Sequence, residues 1–203
     1  MTRAQFLWGL SSGILVLGIA GAFWWGIGLG PFAATSGHQR ALPFIVGVQI
    51  AGVVVFTYFA LRLRRESGFR RATLNRRDPE TRRMFTAIRL VFLLEAALVL
   101  AAVGLCVLAN RRDLIWPAIG IAVSLHFAPL GHLFSVPTYY VTAALGTVVS
   151  TVAVVAPLGP WRMLWLGLSM CPVMWGTAVY LLAAADGLAA RATTASAPEQ
   201  AIN

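Results

Sequence analysis

Glu95 and His126 are the residues best suited to chemistry in this chain, because each interrupts a long apolar stretch, Phe85 to Leu108 and Leu114 to Phe134. Histidine titrates near neutrality and a desolvated carboxyl can be tuned toward it, so such a pair can hold or pass a proton. The competing reading is an interhelical hydrogen bond, worth about 0.6 kcal/mol inside a membrane. Both residues fall at comparable depth: Glu95 is ten residues into its stretch, about 15 Å at the helical rise. Pro129, three residues beyond His126, removes a backbone hydrogen bond and frees carbonyls beside Leu125 and His126. Further along, Tyr139, Thr142, Gly146 and Ser150 recur at spacings of three, four and four, a single mildly polar helical stripe. That stripe either lines a pathway or packs against a neighbour, with Thr and Ser bonded to their own backbone. Gln49 and the Gly9-x3-Gly13 pair carry the same two readings. The candidate substrate or proton pathway is therefore Glu95, His126, Tyr139, Thr142, Ser150 and Gln49.

Other chemistries find little footing. Cys106 and Cys171 lie in apolar stretches without CxxC spacing, so neither a disulfide framework nor a zinc site is expected. His126 and His132 are six apart and miss a common helical face, which disfavours a haem or metal held by this helix alone. No cofactor is expected. GxSxG, HExxH, P-loop and GxGxxG patterns are all absent from the sequence. An enzyme would have to work with Glu95, His126 and tyrosines inside a bundle, which leaves an intramembrane lipid-modifying enzyme as the weaker alternative.

The elements that must hold these residues follow from composition. The chain has 203 residues, 59% hydrophobic and only 11% charged, with mean hydropathy +0.77. Soluble domains carry about a quarter charged residues. With about 20 apolar residues needed per crossing, the runs and their breakers predict six spans: 6–29, 42–63, 85–108, 114–134, 136–156 and 161–185. The fold class is all-α, a polytopic transmembrane bundle of six helices forming one domain over 1–188. A basic loop occupies 64–84, and 189–203 reads as a disordered polar tail. Gly30-Pro31 is expected to stop the first span. That span is too long for a signal-peptide core and is read as retained.

Arginine sets the orientation. All 16 basic residues are Arg. Arg62, Arg64, Arg65, Arg70, Arg71, Arg76, Arg77, Arg82 and Arg83 crowd the second connection, with Arg89 just inside the third span. Positive charge near span ends stays cytoplasmic, which places both termini inside and splits the arginines twelve to four. Trp24, Trp25, Trp116, Trp161 and Trp165 fall at outer ends, and Tyr58, Tyr139, Tyr140 and Tyr180 near inner ends, as interfacial belts would. His38-x4-Pro43-x8-Gly52 and His132-x4-Pro137-x8-Gly146 suggest a 3+3 inverted repeat, the logic of many transporters. Its rival is coincidence among many Pro and Gly residues. The arginine loop is read as an anchor on anionic lipid headgroups or as a dock for a cytoplasmic protein. Nucleic acid is discounted, because Phe69 is the loop's only stacking residue.

The string His126-Phe127-x-Pro129-Leu130, followed by Phe134, Pro137, Tyr139, Tyr140 and Thr142, resembles a stretch of small six-helix bacterial membrane proteins of unassigned function. The resemblance covers about one and a half spans. It implies a multi-pass protein of a bacterial inner membrane and supplies no substrate, cofactor or catalytic residue. Two functional classes stay open: a small-molecule or ion transporter or channel with a protonatable mid-membrane site, and a structural or accessory subunit packed against a membrane partner or a second copy of itself.

Overall fold

The protein is seen in a computed structural model that describes residues 3–35, 37–68 and 79–195. Its regular structure is helical throughout these residues: α1 (Arg3–Thr35), α2 (Leu42–Glu66), α3 (Pro79–Leu108), α4 (Ile115–Leu125), α5 (Phe127–Phe134), α6 (Thr138–Val155), α7 (Arg162–Ala183) and α8 (Ala185–Ala195). Short 3-10 turns lead into α2, α4 and α7. Among the described residues six segments are long and apolar enough to cross a membrane, with α4 and α5 together making one of them. The protein is an integral membrane protein by this measure.

Within hydrocarbon, lipid tails are as apolar as leucine, so helices associate through close packing rather than burial from water. Small residues decide where that happens. At the α1–α7 crossing, Gly28 and Gly167 bring the two backbones into contact: a Cβ on Gly167 would sit 2.4 Å from Gly28 Cα. The Trp175 indole lies against Gly21 and Gly52, where any Cβ would strike it, and its Nε1 donates to the Gly18 carbonyl at 3.0 Å. One α7 side chain thereby ties α1 to α2. The neighbour order is α2, α1, α7, α6, α4, α3, with α5 lying on α6 and α8 on α1. Ile14, Leu17 and Trp24 of α1 and Leu166, Met170, Met174 and Leu181 of α7 form the fully enclosed centre.

Both described ends of the chain lie at one end of the bundle, where Arg3 pairs with Asp186 at 2.7 Å. At the opposite end Asp113 accepts from Arg111 and, at 2.5 Å, from Arg162. That carboxylate raises the Arg111 guanidinium above its ordinary value through the hydrogen bond.

Several expectations are revised. Helix α1 passes through Pro31 and runs one further turn to Thr35, although a proline there removes the bond to the Ile27 carbonyl and crowds it. Trp24 is buried rather than interfacial, set edge-on to Phe23, and Tyr139 is likewise enclosed. Trp161, Trp165, Tyr58 and Tyr180 remain exposed as belts require. Helix α8 carries helical backbone to Ala195, into the stretch read as a tail; residues 196–203 lie outside the described residues. So do Arg70, Arg71, Arg76 and Arg77 of the arginine loop. The two halves pack differently, since α6 packs on α7 whereas α2 and α3 scarcely touch.

Candidate functional site: a lateral groove beside an acid–histidine pair

Pro129 shapes the site. Without an amide hydrogen it cannot bond the Leu125 carbonyl, and α4 ends at Leu125. His126 occupies the joint between α4 and α5. Its Nδ1 lies 2.8 Å from the Val123 carbonyl oxygen, which fixes the proton on that nitrogen, since a bare nitrogen would face another lone pair. Glu95 Oε1 lies 3.5 Å from the same Nδ1. The ring is enclosed, 4.6 Å between centroids from Phe127 and 5.9 Å from Phe92. Glu95 retains 21% side-chain exposure and His126 only 5%. The expected partnership is thus met in space, and it joins the edge helix α3 to α4.

Below the pair runs a groove of about 250 Å³. Phe85, Ile88 and Phe92 form its α3 wall, spaced three and four apart on the helical stripe that continues to Glu95. The facing wall is α1, from Phe6 to Leu17, about 16 Å of helix. His126, Phe127, Leu130, Phe134 and Tyr139 complete it. Gly9 and Gly13 set its depth: a Cβ on Gly13 would lie 2.5 Å from the Tyr139 hydroxyl. The groove opens sideways between Val16 and Phe92, 47% and 46% exposed. It lies in the half of the bundle nearer the arginine-rich connection.

The remaining pathway candidates are engaged elsewhere. Thr142 is buried between α6 and α7, 2.6 Å from the Thr177 hydroxyl and bonded to the Thr138 carbonyl. Ser150 sits where α4, α6 and α7 meet, against Gly120 and 3.7 Å from Met170 sulfur. Gln49 donates to the Ala22 carbonyl at 2.9 Å and fills the space over Gly26. His132 is exposed. Among the described residues no group of three His, Cys, Asp or Glu side chains is placed to hold a metal.

Arg64 belongs to this site rather than to a free loop. Its Nε and Nη2 donate to the Ser11 and Ser12 hydroxyls at 3.1 and 2.9 Å, and its guanidinium lies 5.4 Å from the Trp8 ring centre. Trp8 and Ser12 line the groove. Sequence reasoning placed Arg64 among headgroup anchors and left Phe6, Trp8, Phe85 and Ile88 unassigned. The Gly9-x3-Gly13 spacing was read only as pathway lining or helix packing. No protein-family model, curated protein or solved structure matches the chain.

Proposed function

We propose that this integral membrane protein is a small transporter whose lateral groove admits the hydrocarbon part of an amphipathic molecule, with Glu95–His126 as the protonatable site at its inner end. The observation that carries this reading is His126, which lines the groove and whose Nδ1 stands 3.5 Å from Glu95 Oε1. Ion conduction fits less well. Ions need carbonyl or charged linings, whereas this groove is walled by Phe, Leu and Ile, and the polar α6 stripe is closed by Thr177 and Met170. The arginine bias supports an orientation with the groove in the cytoplasmic leaflet.

The test is reconstitution in liposomes with a fluorescent short-chain phospholipid analogue, following its movement between leaflets by dithionite quenching. Wild type should move it faster than protein-free liposomes, and Glu95→Gln should slow the movement while the fold persists. Movement no faster than in protein-free liposomes overturns the reading.

One observation favours the accessory-subunit alternative: no residue of α3 from Phe85 to Leu108 is buried within the bundle, whereas every other span buries part of its apolar stretch. Cysteines placed on that face, at Leu93 and Leu100, would crosslink to a partner or a second copy if a protein covers it.

A further inference from the structure

We infer that the groove holds one acyl chain of an anionic phospholipid, with Arg64 and Arg82 taking the headgroup; this rests on the groove being a lipid site and names the lipid. Hydrocarbon gains little by moving from lipid tails into an apolar groove, because the two environments are alike. Any preference among lipids must therefore arise at the polar end. There the groove meets positive charge from two helices. Arg64 of α2 reaches Ser12 and Trp8, both groove residues, and among the described residues it has only hydroxyls and a ring as partners, no carboxylate. Arg82 of α3 is exposed and lies one turn before Phe85, on the stripe that walls the groove. Of the carboxylates described at this end, Glu66 pairs with Arg62 and Asp186 with Arg3. Among the described residues neither arginine has a carboxylate partner, and the two mark the Trp8–Phe85 end of an acyl-sized slot. The Trp8 indole completes an interfacial setting of the kind aromatic residues favour. A phosphodiester headgroup suits Arg64 well, since its fork of donors can exchange serine hydroxyls for phosphate oxygens.

Native mass spectrometry of the full chain in detergent micelles, titrated separately with phosphatidylglycerol and phosphatidylcholine, tests this. Each arginine near an anionic surface contributes about five-fold in affinity. Wild type should retain one phosphatidylglycerol at least about ten-fold more tightly than phosphatidylcholine. Arg82→Gln, an exposed change that leaves the packing alone, should cut that preference about five-fold. Arg64→Gln should do likewise, and Arg82→Gln carries the test if Arg64→Gln proves unstable. Ile88→Trp, which fills the groove, should abolish retention of both lipids. Equal binding of the two lipids by wild type, with Ile88→Trp still abolishing both, overturns the headgroup assignment and leaves the groove reading standing. An undiminished phosphatidylglycerol preference in Ile88→Trp overturns the proposal outright, since the arginine-rich connection alone would then be the binding surface.

Discussion

Glu95→Leu, His126→Phe and the double variant together measure what the acid–histidine contact contributes. Full charges 3.5 Å apart would attract by about 5 kcal/mol at an effective dielectric of about 20. Withdrawing both from water costs several kcal/mol per ion, which consumes most of that gain. His126 Nδ1 is also shared with the Val123 carbonyl at 2.8 Å, the shorter of its two contacts. The coupling is therefore expected in the range of interhelical hydrogen bonds in membranes, about 0.6 kcal/mol and no more than about 1.7. His126→Phe keeps a ring against Phe92 and Phe127, so the packing term is largely preserved in the cycle. Equilibrium unfolding in mixed dodecyl sulfate micelles, read by circular dichroism, gives the four stabilities. Single effects that add to within about 0.3 kcal/mol would show no contact between the two groups. A coupling above about 3 kcal/mol would mean a true buried ion pair. Either result refutes an ordinary interhelical hydrogen bond between the two groups.

Further expectations follow from the packing. Gly167→Leu forces α7 away from the Gly28 backbone and should lower stability by at least about 1–3 kcal/mol in the same unfolding assay. Trp175→Phe keeps the ring near Gly21 and Gly52 but loses the bond to the Gly18 carbonyl, a cost of about 0.5–1.5 kcal/mol. Thr142→Val breaks the contact with Thr177 and should cost about 0.6 kcal/mol, with lipid movement in liposomes unchanged; slowed movement would return Thr142 to the pathway. Asp186→Asn removes an exposed pair with Arg3 and should shift stability by less than about 1 kcal/mol, less again in high salt.

The sequence by itself determined that this is a six-span helical membrane protein with its charge gathered at one end. Those properties are local: a span needs only a run of apolar residues, and orientation needs only the arginines beside it. The freed carbonyls beside His126 were equally legible, because Pro129 cannot supply the missing hydrogen; that the helix breaks there was not, since α1 and α7 run on through Pro31 and Pro172. Glu95 was conspicuous for the same reason, as a carboxyl with no water nearby must find a partner.

Which partners each helix finds was decided by the tertiary structure. Thr142, Ser150 and Gln49 have the residue types of a pathway, yet α7 and α1 cover them, and neither neighbour is specified by spacing along α6 or α2. Trp24 has the position of a belt residue and the surroundings of a core. The groove exists because α1 and α3 stand apart across α5 and α6, a separation between two walls, Phe6 to Leu17 and Phe85 to Phe92, that lie far apart in the chain. Periodicity fixes which face of a helix is special. Only packing fixes what that face meets, and in a medium where every helix surface is equally at ease, a few glycines choose the neighbours.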